Sequence, residues 1–289
     1  DIASGGVDNT YFGHKAGSNN ATGDDNTFVG SNAGKGSHGN SHSSNVGVGS
    51  DALLAVSTGS YNAVMGNAAA KAMTDGHNNI AIGNQALMTS TSAGICVVIG
   101  DDAMKNGDVT SAADGTVAIG GSALYALTSG ARNTAIGYNA GLGMTTSSDC
   151  VLVGYMAGED MDSSGTTPQS CTYIGGYAGR YLDDGTLNTA VGHGAMEGTT
   201  GGSSCQENVA VGHHTLTAFT TGDYNVAIGA ESLKAITTQS NNTAVGYKAG
   251  EDSTGANNIL VGYYAGSKLT GGYSTFIGYN AGLVHTSGG

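Results

Sequence analysis

The chain is poor in much of what a globular enzyme uses. Its 289 residues include one proline, no tryptophan, and nine Lys or Arg against 22 Asp or Glu. The resulting net charge of −13 argues against nucleic acid and anionic membranes as partners, because both are held by clustered Lys and Arg. No apolar run approaches the roughly 20 residues that span a bilayer, so membrane insertion is not expected. No signal peptide is recognisable, yet the chain begins at Asp1 without an initiator Met. The expectation is a processed chain or a segment of something longer. Four cysteines without a Cys-x-x-Cys leave zinc and redox motifs unsupported. What is abundant is glycine, 51 residues, with much Asn, Thr and Ser, a composition that suits an extracellular or virion surface.

A repeat explains the glycine. The unit is Asn, an apolar or Thr triplet, Gly, two variable residues and Ala, and Asn133-Thr-Ala-Ile-Gly137-Tyr-Asn-Ala140 is a clean copy. Sixteen copies occur, with central glycines Gly13, Gly30, Gly49, Gly66, Gly83, Gly100, Gly120, Gly137, Gly154, Gly175, Gly192, Gly212, Gly229, Gly246, Gly262 and Gly278. Most steps are 17 residues; those ending at Gly49, Gly120, Gly175 and Gly212 run to 19, 20, 21 and 20, and the last two shrink to 16. The surplus must loop out, and Pro168 sits in the longest step, where its missing N–H removes no ladder bond. One continuous repeat domain is expected over 9–282, with a lead-in at 1–8 and a tail at 283–289.

Aligned copies turn the chain into columns. The residue before each glycine is large and apolar, from Phe12 and Val29 through Ile136 and Val153 to Ile277, and is expected to form the core. Thr, Val, Ile or Ala two residues earlier shares its face by the two-residue strand period. The opposite-facing column, with Tyr11, Phe28, Val64, Ala81, Leu152, Ala190, Leu260 and Phe276, carries no charge, so both faces read as buried. Short β-branched segments broken by glycine exclude a helix. A 17-residue coil holds two short strands and two turns and cannot bury its own apolar face. Coils must therefore stack at about 4.8 Å per step, a rod on the order of 70 Å. The predicted fold is all-β, a parallel β-solenoid of about sixteen short coils, fibrous in character. Ala three residues past the glycine, in fourteen of sixteen copies, marks a place too small for more. The next position is Gly in one kind of coil (Gly17, Gly34, Gly141) and Leu or Met in another (Leu53, Leu87, Met104), and the second kind is predicted to carry a second apolar strand or edge.

The Asn-Thr-Ala-Ile-Gly-Tyr-x-Ala-Gly/Leu…Thr-Thr-Gly unit resembles the repeats of phage tail-fibre proteins and is similar to the head repeats of trimeric autotransporter adhesins, over residues 9–282. The resemblance implies a left-handed β-roll and a homotrimer of chains side by side, which would bury the second apolar column. The period here is longer, and no coiled-coil stalk, membrane anchor or tail-fibre chaperone domain is recognisable.

Each chemical candidate has a structural competitor. Asn in eleven of sixteen copies, from Asn9 to Asn258, reads as an amide ladder and not as a binding face. Cys96, Cys150 and Cys171 replace Asn in that column and read as buried rungs, while Cys205 lies in a loop. Cys150 and Cys171, one strand spacing apart, are predicted to form a disulfide; Cys96, three coils from Cys150, cannot reach it. His193 and His213 share a column on adjacent coils, and His38 and His42 share an extended loop; either pair could hold a metal, but solvent-exposed rungs are the favoured reading. The doublets Asp24-Asp25, Asp101-Asp102, Asp183-Asp184 and Glu251-Asp252 fall at different places in their coils and the nonapeptide repeat Gly-Gly-x-Gly-x-Asp is absent, which leaves calcium in one loop open and excludes a calcium-built roll. No carboxylate pair or triad supports catalysis, and no cofactor motif is present. Tyr138 and Tyr155, and Tyr247, Tyr263 and Tyr279, follow the glycine on successive coils; such rows stack on sugar rings or simply on one another.

The leading function is a non-enzymatic structural element of an extracellular fibre, either a phage tail-fibre shaft or a cell-surface filament, giving length, stiffness and attachment. The alternative is an adhesin head binding cell-surface glycan through the Tyr columns. Ice binding needs outward threonines, whereas Thr10, Thr27, Thr134, Thr189 and Thr243 are assigned to the core face. Without caps the terminal coils invite end-to-end contact through Tyr11, Phe12, Phe276 and Ile277.

Overall fold

A computed structural model describes residues 6–37, 39–107, 113–161, 170–200 and 203–283. Pro168 lies outside the described residues. The chain divides into two compact units, residues 1–148 and 149–289. The first carries β1 (Thr10–Phe12), β2 (Thr27–Val29), β3 (Val46–Val48), β4 (Ala63–Met65), β5 (Ile80–Ile82), β6 (Val97–Ile99), β7 (Val117–Ile119) and β8 (Thr134–Ile136). The second carries β9 (Val151–Val153), β10 (Thr172–Ile174), β11 (Thr189–Val191), β12 (Val209–Val211), β13 (Val226–Ile228), β14 (Thr243–Val245), β15 (Ile259–Val261) and β16 (Thr275–Ile277). The protein is all-β, a parallel β-solenoid in which each strand begins one coil. Within a unit every strand pairs with its sequence neighbours one to one, as Ala63, Val64 and Met65 pair with Ile80, Ala81 and Ile82. No helix among the described residues is long and apolar enough to cross a membrane.

Among the described residues each coil contains one three-residue strand. The expected second strand is reduced to isolated bridges such as Asn20–Asn40 and His77–Gly94, while the apolar edge given as its alternative is present, with Leu216, Phe219, Leu233 and Ile236 fully buried. The central glycine ends the three-residue strand: Gly66 has φ +145, and a Cβ there would collide with the carbonyl oxygen of Gly83 on the next coil. Beyond it, two residues per coil take left-handed backbone angles, such as Asp51 (φ 58) and Leu53 (φ 52), so the chain curls where a strand would extend. Inter-coil bonding continues through these turns, with Gly34 N donating to Ala52 O (2.8 Å) and Gly36 N to Leu54 O (2.9 Å).

Of the two strand faces expected to be buried, only the centre column is; the column before the glycine, expected to form the core, lies on the outside. Ile136 is 38% exposed and Phe12 76%, whereas Phe28, Ala135, Leu152 and Tyr173 are fully buried. The column of Phe12, Val29, Ile136, Val153 and Ile277 therefore faces outward, with Thr10, Thr27, Thr134, Thr189 and Thr243 beside it. In-register stacking is the reason an apolar outer column is tolerated: each side chain is flanked by its neighbours above and below, which cover much of its surface.

The interior explains the two kinds of coil. In most coils bulk at the strand centre is matched by glycine four residues past the central one, and the reverse; Val98 with Met104, Ala135 with Gly141 and Ala244 with Gly250 depart from this pattern. Tyr11 faces Gly17, Phe28 faces Gly34 and Tyr173 faces Gly179, and in each case an added Cβ would meet the ring. Where the strand centre is Gly47, Ala81 or Ala227, the partner is a buried Leu53, Leu87 or Leu233. A third inward column holds Val56, Met73, Leu127, Met144, Met161, Leu182, Phe219, Ile236 and Leu269, all fully buried. The alanine column is as cramped as expected; at its exceptions a hydroxyl finds a partner, Thr215 Oγ1 donating to Gly229 O at 2.8 Å.

The asparagine column is a ladder. Asn62 Oδ1 accepts from both N and Nδ2 of Asn79 (3.0 Å each), and Asn62 Nδ2 donates to Asn45 Oδ1 (3.0 Å) and Gly76 O (2.9 Å). The second unit repeats the pattern at Asn188, Asn208, Asn225 and Asn242. Each amide saturates its donors and acceptors inside the core, which removes the cost of burying it.

Candidate functional site

With the interior filled, the outside of the coils carries the functional candidates. One face of each unit is the sheet's outer side, a two-column stripe of Thr, Val, Ile, Ala, Met and Phe without a single charged residue. On the first unit it includes Phe12, Met65, Ile80, Ile82 and Ile136, and on the second Ile174, Ile228, Ile259 and Ile277, all exposed. Of the residues expected at chain ends, Phe12 and Ile277 lie on this stripe, while Tyr11 and Phe276 are half-buried on the inner side. The Tyr11 ring stacks on Phe28 (centroids 5.5 Å) and its hydroxyl accepts from Asn20 Nδ2 at 3.1 Å. Among the described residues β1 pairs only with β2, and β16 only with β15.

The corner just past the glycine carries rings. Tyr247, Tyr263 and Tyr279 stack in a row with centroids 5.3 Å apart at each step, at interplanar angles of 26° and 9°. Tyr264, in the next sequence position, turns its ring edge onto Tyr263 (4.7 Å) and Tyr247 (5.7 Å). Beside them is an open groove of about 560 Å³ lined by Tyr263, Tyr264, Tyr279, Glu251, Asp252 and Lys268. Tyr138 and Tyr155 belong to different units; both are exposed, and Tyr155 lies edge-on to Tyr177 at 5.3 Å.

The same corner gathers histidines. His193 and His213 stack with centroids 5.7 Å apart, and His214 closes a triangle, 4.1 Å from His213 and 5.5 Å from His193. One ligand nitrogen from each of the three falls within 4.8 Å of the others. His214 is absent from the column reading, although its place beside His213 is the same as that of Tyr264 beside Tyr263. Of the other histidine pair, His38 lies outside the described residues and His42 is fully buried.

All four cysteines are free thiols and buried. Cys150 and Cys171 do share adjacent rungs, but they hydrogen-bond to each other instead of forming the predicted disulfide. In-register neighbours project their side chains in the same direction, whereas a disulfide needs converging Cβ atoms and a Cβ–S–S–Cβ twist near 90°. The bond to Cys171, together with burial, pushes the Cys150 thiol well up, and burial pushes Cys96 to about 11, so neither is poised as a nucleophile.

No protein-family model matches the chain, and no curated protein matches its sequence.

Proposed function

We propose that this chain is a structural element of an extracellular fibre or filament, such as a phage tail-fibre shaft or a cell-surface filament, that assembles with copies of itself and has no catalytic role. The observation that carries the reading is the uncharged outer stripe. Exposed apolar patches of more than a few hundred Å² mark association surfaces, and a flat stripe of β-branched side chains in register is self-complementary between copies. Sedimentation velocity and electron microscopy of the full chain test this. Side-by-side or end-to-end assemblies are expected for the parent, and Ile174→Lys/Ile228→Lys, on the exposed stripe, is expected to abolish lateral association at an unchanged melting temperature. A parent chain that stays monomeric at high concentration overturns the reading.

A second reading, a glycan-binding adhesin, is favoured by one observation: the Tyr247, Tyr263 and Tyr279 row flanks an open groove with acidic and basic side chains, the mixture of stacking faces and polar groups that sugars take. A glycan array read with the parent and with Tyr263→Ala separates the two, since a pure spacer binds nothing.

A further inference from the structure

The geometry points to a binding site for a borderline divalent transition-metal ion, Zn²⁺ in the first instance, formed by His193, His213 and His214. Three features of the fold converge on it. The register of β11 on β12, with Thr189, Ala190 and Val191 opposite Val209, Ala210 and Val211, brings the residues after Gly192 and Gly212 onto adjacent rungs, so the His193 and His213 rings stack. His214 N donates to His193 O (3.0 Å), and its φ of 49° turns its side chain toward the preceding coil. The space it enters is open because position 194 is glycine: a Cβ on Gly194 would stand 2.5 Å from His214 Nδ1. Every equivalent position on other coils carries a side chain, from Tyr177 before it to Glu231 after it.

The chemistry of the donor set selects the ion. Three imidazole nitrogens suit Zn²⁺, Cu²⁺, Ni²⁺ or Co²⁺, whereas Ca²⁺ and Mg²⁺ require oxygen donors. Tetrahedral Zn²⁺ with Zn–N near 2.05 Å places its ligand nitrogens about 3.3 Å apart. The present separations, within 4.8 Å, close to that by small rotations, and His193 and His213 are exposed and free to make them. Glu197 reaches the same space, its Oε2 bordering Gly194, and it acts electrostatically on His214 in the sense that favours a cation, while Lys234 acts in the opposite sense. Three protein ligands leave a fourth position toward solvent, the arrangement of an open site and not of a closed structural one. This site is independent of the fibre proposal, since it needs only one folded unit.

Calorimetric titration of the full chain with ZnCl₂ at pH 7.5, with CoCl₂ as a spectroscopic substitute, tests it. Saturable uptake of one ion per chain is expected, with visible Co²⁺ bands of four-coordinate intensity and no uptake of CaCl₂. His193→Ala and His213→Ala are each expected to weaken Zn²⁺ binding by more than about tenfold, the lower limit for loss of even an outer-shell group. Gly194→Asn keeps all three ligands and a residue tolerant of a left-handed backbone, yet its side chain displaces the His214 ring; it is expected to weaken binding without lowering the melting temperature of the metal-free chain. His77→Ala, an exposed histidine in the first unit, is expected to change nothing. Absence of saturable uptake, or His213→Ala and His193→Ala binding Zn²⁺ as the parent does, overturns the proposal.

Discussion

Both ring nitrogens of His42 are buried without a hydrogen-bond partner, at a place in the coil where other copies have Gly23, Gly59 and Gly76. The ring lies edge-on to Phe28 at 5.5 Å, and burial lowers its pKa to about 4. In the unfolded chain the same ring titrates near 6.5. Between those values the unfolded state binds the extra proton, so stability falls as pH drops from above 6.5 through about 4 and is insensitive to this group outside that window. The full effect is about 3 kcal/mol. His42→Leu removes the titrating group and is expected to flatten that part of the pH dependence; thermal unfolding of parent and variant at pH 7.5 and pH 4.5 measures the difference. A second residue-scale test concerns volume. Gly34→Leu is expected to destabilise by several kcal/mol, about the upper range for overpacking, because its side chain would enter the Phe28 ring. Adding Phe28→Ala recreates the Ala81 and Leu87 pairing and is expected to recover most of the loss, a coupling that a double-mutant cycle reads directly.

At the scale of the strand, the orientation of one triplet decides the effect of a charge. Ala135→Asp, fully buried, places a carboxylate in the core without a partner and is expected to cost several kcal/mol or to drive protonation of the group. Ile136→Asp, one residue on and outward, is expected to cost about 1 kcal/mol or less. Chemical denaturation of the two variants compares them; equal losses would mean that the outer column is covered. The amide ladder belongs to the same scale. Asn62→Ala leaves the buried backbone N–H of Asn79 without its acceptor and Gly76 O without its donor. An orphaned buried group costs about 1–3 kcal/mol, so a loss of about 3 kcal/mol in unfolding free energy is expected.

For the molecule as a whole, charge and apolar surface oppose each other. The net charge of −13 makes copies repel, while the charge-free stripe favours their contact. Added salt screens the repulsion over about a Debye length and leaves the apolar contact intact. Association is therefore expected to strengthen as NaCl rises from 20 to 500 mM (values on the order of the 0.01–1 M range over which screening changes), as read by light scattering. An assembly held by ion pairs would weaken over the same range.

Much of this molecule is legible in one sequence, because a repeat states the same local problem sixteen times. The 17-residue period, the strand triplets, the cramped alanine column, the asparagine ladder and the buried cysteine rungs all follow from which residues recur at which offset, and all are present in the structure. What recurrence cannot specify is the sign of the alternation. A three-residue strand has two faces related by the same two-residue period, and Thr-Ala-Ile offers apolar atoms to both. Closure of the coil alone decides that Ala135 points in and Ile136 out, because the interior is too narrow for a continuous column of large residues but not for Phe28 against Gly34 or Ala81 against Leu87. The reduction of the second strand to isolated bridges among the described residues, the unbridged thiols of Cys150 and Cys171 and the recruitment of His214 beside His193 have the same origin. Each depends on the direction in which a left-handed turn or an in-register rung aims a side chain, and that is set by the stacking of one coil upon the next.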